Sequence, residues 1–303
     1  VDRKQGEAKP GFLRLLSTKN AVHPAQTPAR IALANWLTDT RHGAGHLLAR
    51  VMVNRLWHHH FGSGIVATTS DFGTRGDRPS HPQLLDHLAT LLIESGWRLK
   101  KIHKLILNSA TYMQSSRVRA MNQKVDPENQ LLWRRVPRRQ EAEVIRDALL
   151  AVSGRIDLRL YGKGSLEPNS RRRSVYLTVK RSRLIPLLQL FDAPDTMQGV
   201  GKRELSTVAP QALALLNSPL VRNLAGDFAK RIRQDGKRSS HDVVTVGYQT
   251  ALGRNPSKEE LAQMTAFIKH QENSRPGAKQ VQQLAVQDFC HLLLCMNEFV
   301  YVD

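Results

Sequence analysis

Apolar residues along this chain recur mostly at helical spacing. Ala29–Thr38 (ARIALANWLT) sets its apolar residues close together, and Gly45–Phe61 carries Leu48, Met52 and Leu56 on one face before Gly62. That period predicts two helices, the second stopping at its glycine with His59 on the inward face. A loop bearing glycines and a proline follows over 62–79. Ser80 with Gln83 three residues on, and Pro82 between them, reads as a capping box opening a third helix. Its stripe is Leu84, Leu85, Leu88, Leu91 and Leu92, and Gly96 closes it. A fourth helix is expected over Leu99–Ala110, with Lys100, Lys101 and Lys104 turned away from Leu99, Ile102 and Ile106.

Further on, Arg138–Val152 is amphipathic, with Ile145, Leu149 and Val152 inward and Gly154 as its stop. Over Arg173–Lys180 the period drops to two. Val175, Leu177 and Val179 alternate with Tyr176, Thr178 and Lys180, which predicts a strand. From Thr207 the pattern is helical again: Ser257 with Glu260 forms another capping box, and Gln280–Asn297 is nearly continuous in apolar residues, as for a core helix. The expected fold class is therefore mainly α, a multi-helix globular domain with a small β element near 173–180. The expected organisation is a linker or N-terminal extension over 1–28, a helical subdomain over 29–155 holding a His/Asp-rich loop, and a helical subdomain over 156–303 packed as one unit with the first.

Composition sharpens this picture in two places. A chain of 303 residues with 41% hydrophobic content can bury a substantial core, which excludes disorder as the default. Its 45 Lys and Arg against 26 Asp and Glu leave a formal charge of +19, a field that draws acidic partners quickly without choosing among them. No run approaches the roughly 18 apolar residues of a membrane span, so none is expected. Cys290 and Cys295 fall in one predicted helix, about 140° apart around its axis at roughly 100° per residue, and read as small buried hydrophobes rather than a disulfide or metal pair.

Candidate chemistry concentrates between Asn54 and His87, where five histidines and three aspartates fall together. Imidazoles and carboxylates are the usual ligands of zinc and similar ions. Consecutive His58, His59 and His60 fan out around a helix and cannot serve one ion together. A cluster of His59, His60, Asp71, His81 and Asp86 is the candidate metal set, with His60, Asp71, His81 and Asp86 the candidate acid/base residues of an enzyme. The spacing matches no compact motif such as His-Glu-x-x-His, and a divalent metal is the cofactor such a cluster would take. The plain structural reading is a core histidine and a glycine-shaped loop. Amides of Gly73 and Gly76, with Arg75 and Arg78, offer a weaker anion site. No Gly-x-Ser-x-Gly elbow and no activated cysteine is present, so a nucleophile mechanism finds no support.

Two basic clusters are the candidate polyanion-binding residues: Arg138 and Arg139 beside Arg134 and Arg135, and Arg171, Arg172 and Arg173 followed by Lys180, Arg181 and Arg183. Tyr176 shares a strand face with Lys180, which sets stacking beside charge. An anionic glycan is the leading partner; nucleic acid ranks behind it, since no recognised nucleic-acid-binding signature is present.

Several blocks carry a resemblance. They include ALANWLTD at Ala32–Asp39, VNRLWHHHFGSGIVATTSDFG at Val53–Gly73, PSHPQLLDHLA at Pro79–Ala89, EAEVIRDALLAVSG at Glu141–Gly154, RRSVYLTVKR at Arg172–Arg181 and TVAPQALALLNS at Thr207–Ser218. In this order they resemble the planctomycete-type DUF1553 family over almost the whole chain. Shared positions are Asn54, Arg55, Trp57, His60, Asp71, Gly73, His81, Pro82 and Asp86; His87 departs from the family pattern and is not counted as a ligand. The resemblance implies a larger parent chain with an upstream DUF1549 domain and often a cytochrome c-like module, so that haem would reside upstream and no cofactor is evident here. It also implies an extracytoplasmic location. No reaction accompanies the family, and the expected role is a non-catalytic or accessory module, glycan- or redox-associated, with a His/Asp enzyme and a polyanion-binding module as alternatives.

Overall fold

The computed structural model describes residues 11–18, 27–180, 184–194, 199–234, 236, 238–277 and 279–302. Much of the 1–28 extension therefore lies outside the described residues, as does Arg181. Helices dominate, and the described strands form one two-stranded sheet. The chain divides into two compact units between Val136 and Pro137. The division expected at 155 would have put the helix Ala142–Val152 in the first unit; it lies in the second.

The first unit contains α1 (Ala29–Thr38), α2 (Gly45–Phe61), α3 (Pro82–Glu94), α4 (Leu99–Leu107) and α5 (Ala120–Val125). Its core joins Ala49, Val53 and Trp57 of α2 to Leu85, Leu88 and Leu92 of α3 and to Ile102 and Ile106 of α4. Burying each large aliphatic side chain there is worth about 1.5–3 kcal/mol. The inward face of α2 is thus one residue removed from the expected one. Leu48, Met52 and Leu56 are only half-buried and His59 is exposed, because small Ala49 and Gly45 are what the helix buries. Gly62 ends α2 in the left-handed conformation (φ 84°), its amide donating to the His58 carbonyl at 2.7 Å.

The expected capping box at Ser80 does not form. His81 is the N-cap and Pro82 the first helical residue of α3, while Ser80 turns back, its amide and hydroxyl donating to the Ile65 carbonyl at 2.9 and 3.2 Å. α4 also stops earlier than expected, at Leu107, with Asn108 as its C-cap.

The second unit opens with β1 (Arg138–Arg139), followed by α6 (Ala142–Val152), α7 (Pro186–Leu190), α8 (Ala209–Asn217), α9 (Pro219–Arg233), α10 (Ser240–Leu252), α11 (Lys258–Asn273), α12 (Val281–Cys295), α13 (Asn297–Val300) and β2 (Tyr301–Val302). β1 and β2 pair antiparallel, Arg138 opposite Val302 and Arg139 opposite Tyr301. α12 is central and packs on α8, α9, α10 and α11, with Phe289, Cys290, Leu293 and Leu294 fully buried. Burial pushes the Cys290 thiol well above its ordinary pKa, and neither cysteine forms a disulfide. The Ser257–Glu260 capping box forms as expected at the start of α11.

Around 173–180 the extended element is realised as bridges rather than a continuous strand. Asp157 bridges Arg172 and Ser165 bridges Leu177, on either side of a single 3-10 turn at Ser174–Tyr176. Only Leu177 of the alternating trio is buried; Val175 and Val179 face solvent.

Candidate functional site

In the first unit, the loop over 62–79 is pinned by one fully buried polar residue. Asn54 of α2 accepts from the Val66 amide at 2.8 Å and donates to the Val66 carbonyl at 3.0 Å, a paired amide contact that no apolar residue could make. Gly64 passes so close that a Cβ there would lie 2.4 Å from the Val66 carbonyl oxygen and 2.8 Å from the Asn54 amide nitrogen. Glycine is required at that position by contact rather than by dihedral angle.

The His/Asp residues of this window go to separate partners. Asp71 accepts from the Gly73 amide through Oδ1 at 2.8 Å, closing a local turn. Asp86 pairs with Arg50 of α2 at 2.7 Å, on the exposed side of α3. His81 Nδ1 lies 3.0 Å from the Ser80 hydroxyl. His60 Nε2 meets His103 Nδ1 of α4 at 2.8 Å, with the Tyr112 ring set edgewise to His60 at 5.6 Å. His59 is exposed, its nearest ring neighbour being His58. Among the described residues no three His, Cys, Asp or Glu side chains gather where they could hold a metal ion. The amide of Gly73 is taken by Asp71 and that of Gly76 donates to the Gly73 carbonyl at 3.1 Å, so neither points outward to an anion.

In the second unit, the arginines that look alike in sequence have opposite fates. Arg139 is buried. Its guanidinium donates to Asp192 at 2.5 Å and to the carbonyls of Phe191, Ser206 and Gln140. Partial burial works to raise the Asp192 pKa, but the amide and hydroxyl of Ser206 together with Arg139 outweigh it and hold the carboxyl below its ordinary value. Arg138, its neighbour on β1, is half-exposed.

Arg172 lies in the middle of the second cluster and is turned inward. Its guanidinium sits over the Tyr176 ring at 3.8 Å and donates to the carbonyls of Arg159, Tyr161 and Lys163, so that the 159–163 segment wraps around it. Beneath, buried Arg146 of α6 donates to the carbonyls of Ser170 and Arg172 and to the Ser174 hydroxyl. Burial lowers the Arg146 pKa and adjacent Asp147 opposes that shift. Asp147 itself accepts from the Ser174 amide and hydroxyl, at 2.8 and 2.7 Å.

While Arg172 turns inward at its bridge to Asp157, Arg171 and Arg173 on either side of it turn outward. Both are exposed, as are Lys163 and Lys180, and none of the four has an ion-pair partner among the described residues. By contrast Arg159 is neutralised by Asp157, whose carboxyl its hydrogen bonds hold down to about 2.

Tyr161 completes the cluster. It is 82% exposed and has a left-handed backbone (φ 64°), unusual for a bulky residue and costing about 1–2 kcal/mol. The conformation is held from both sides, since the Tyr161 amide donates to the Tyr176 hydroxyl at 2.8 Å and its carbonyl accepts from Arg172. Tyr161, Lys163 and Arg146 were not among the residues singled out from the sequence, and the structure gathers them around Arg172. The signal was the glycine-rich run Tyr161–Gly164, which has no helix or strand period.

Among the described residues no helix is long and apolar enough to cross a membrane. A family model described as PSD1, "Protein of unknown function (DUF1553)", matches residues 29–268. No curated protein and no solved structure matches the chain.

Proposed function

Since this chain belongs to the DUF1553 family, whose description names no activity, we propose from its own geometry that it is an accessory, non-catalytic module that binds an anionic polysaccharide through the 155–180 loop. The observation that carries this reading is the division of labour at Arg171–Arg173. Arg172 is spent on holding the loop, and its two neighbours, with Lys163 and Lys180, stay exposed beside a tyrosine forced outward.

Such a surface suits a sugar polymer bearing carboxylates or sulfates. Guanidinium groups take planar anions through two parallel hydrogen bonds, and a tyrosine ring offers an apolar face with a polar tip. A single projecting ring fits the C–H face of one sugar better than a run of stacked bases, which calls for successive aromatic platforms. The net charge of +19 brings the polymer in and the loop selects where it docks. An extracytoplasmic setting, where such polymers are met, and upstream domains in a parent chain belong to the same proposal.

The test is retention on immobilised heparin as a function of salt, with uncharged dextran as control. Affinity should fall steeply as salt rises, and the Arg171→Ala/Arg173→Ala variant should flatten that dependence by about two counterions. Tyr161→Ala should weaken binding without changing the salt slope. Binding to heparin that ignores salt, or that survives the double arginine substitution intact, would overturn the proposal.

A further inference from the structure

The loop that Asn54 pins to α2 also forms one wall of an open groove, of about 720 Å³, that the polysaccharide reading does not use. That is within the size of small-molecule pockets, roughly 300–1,000 Å³. Leu47 and Val51 of α2 line it together with Phe72 of the loop, and the 3-10 turn Arg14–Leu16 adds Leu15 and Leu16. This turn is fastened in place. Phe12 stacks on Trp36 at 5.1 Å, the Trp36 indole N–H donates to the Ser17 hydroxyl at 2.9 Å, and the Thr18 amide donates to the His42 carbonyl at 3.3 Å. Leu15 is 95% exposed, while Leu16, Leu47, Val51 and Phe72 are half-buried along the groove.

Beside neutral Thr69 and Ser70, the charged part of the lining is of one sign. Arg14 and Arg55 both contribute, no carboxylate does, and neither guanidinium has an ion-pair partner among the described residues. Arg50, also on α2, shows the contrast, because it is neutralised by Asp86. An apolar trough flanked by two unpaired guanidinium groups is complementary to a ligand with a hydrocarbon body and one anionic head. A neutral apolar ligand would cover the trough but leave both guanidinium groups without a counter-charge. A polyanion would leave the leucines uncovered.

We infer that this groove binds a free single-chain anionic amphiphile, with a fatty carboxylate as its simplest form: the chain lies along Leu15, Val51 and Phe72 and the carboxylate meets Arg14 and Arg55. The experiment is calorimetric titration of the full chain with dodecanoate below its micelle concentration, beside dodecyltrimethylammonium and vesicles of anionic phospholipid. One dodecanoate should bind per chain and the cationic analogue should not saturate. Arg14→Gln/Arg55→Gln, both at exposed positions, should weaken dodecanoate roughly tenfold or more with an unchanged thermal melt. Val51→Glu should abolish binding by placing a like charge in the trough. Equal affinity for the cationic and anionic chains, dodecanoate binding unmoved by the arginine substitutions, or binding to vesicles without binding to free dodecanoate would each overturn the inference. None of these outcomes depends on the polysaccharide site, which lies in the other unit.

Discussion

Arg139 and Arg172 carry the same side chain as the exposed arginines beside them, and their environments have turned it into interior scaffolding. In sequence, Arg138–Arg139 and Arg171–Arg173 read as surface charge. What separates their members is which acceptors lie within reach, and those come from residues far along the chain: Asp192, Phe191 and Ser206 for Arg139, and the 159–163 carbonyls for Arg172. No local pattern encodes that. Replacing Arg139 takes the cation from beside Asp192 and a donor from three carbonyls, so Arg139→Ala should destabilise the second unit by about 2–4 kcal/mol. Arg138→Ala, on the half-exposed neighbour, should cost under about 1 kcal/mol. Denaturant titration of both variants checks the contrast. Asn54 teaches the same lesson from the other side. A polar residue on an amphipathic helix reads as solvent-facing, yet its side chain is buried against Val66, twelve residues on.

Helix positions were far more legible than helix faces. The bounds of α1 and α2 agree with the reading from apolar spacing and Gly62, and the capping box of α11 was visible as Ser257 and Glu260. Which stripe of α2 turns inward was not. Leu48, Met52 and Leu56 and their neighbours Ala49, Val53 and Trp57 form adjacent stripes of the same period, and the fit to α3 favours the one that begins with small residues. Small residues decide packing elsewhere too. Gly247 of α10 faces α12, where an added Cβ would sit 2.8 Å from a ring carbon of Phe289, itself fully buried. Gly247→Ala should therefore lower stability, with overpacking of about 1–3 kcal/mol outweighing the roughly 1 kcal/mol of improved helix propensity. Gly253→Ala, where no atom lies near but φ is 71°, tests backbone strain without crowding. Thermal melts of the two variants separate the causes.

Across the whole chain, the positive charge is less free than the total suggests, since arginines of both units are tied into ion pairs. The Arg254 network is the most connected of them. Its guanidinium donates to Glu260 at the start of α11 and to Glu298 of α13, and sits 5.3 Å from the centre of the Tyr248 ring. Hydrogen bonding from Arg254, outweighing burial and aided by the Ser257 amide, lowers the Glu260 carboxyl to about 2. A carboxyl held below its unfolded value of 4.5 contributes stability that is complete above that pH and is lost as pH falls toward 2. Stability should therefore decline through that acid window, and Arg254→Gln should lower the neutral-pH plateau and flatten the decline. Unfolding midpoints measured from neutral pH down into that window report both effects. The fold class was readable at this scale from periodicity alone, and the family from the order of the sequence blocks. The two-stranded sheet was not, because Arg138–Arg139 and Tyr301–Val302 are separated by almost the whole second unit.

Arg172, gripping its own loop from within, fixes more than a local shape. With its guanidinium clamped on the carbonyls of Arg159, Tyr161 and Lys163, Arg172 sets where the stems of Arg171 and Arg173 leave the backbone before any partner arrives. On the polysaccharide reading proposed above, such a surface would discriminate among polymers by the repeat distance of their acidic groups as well as by how many they carry.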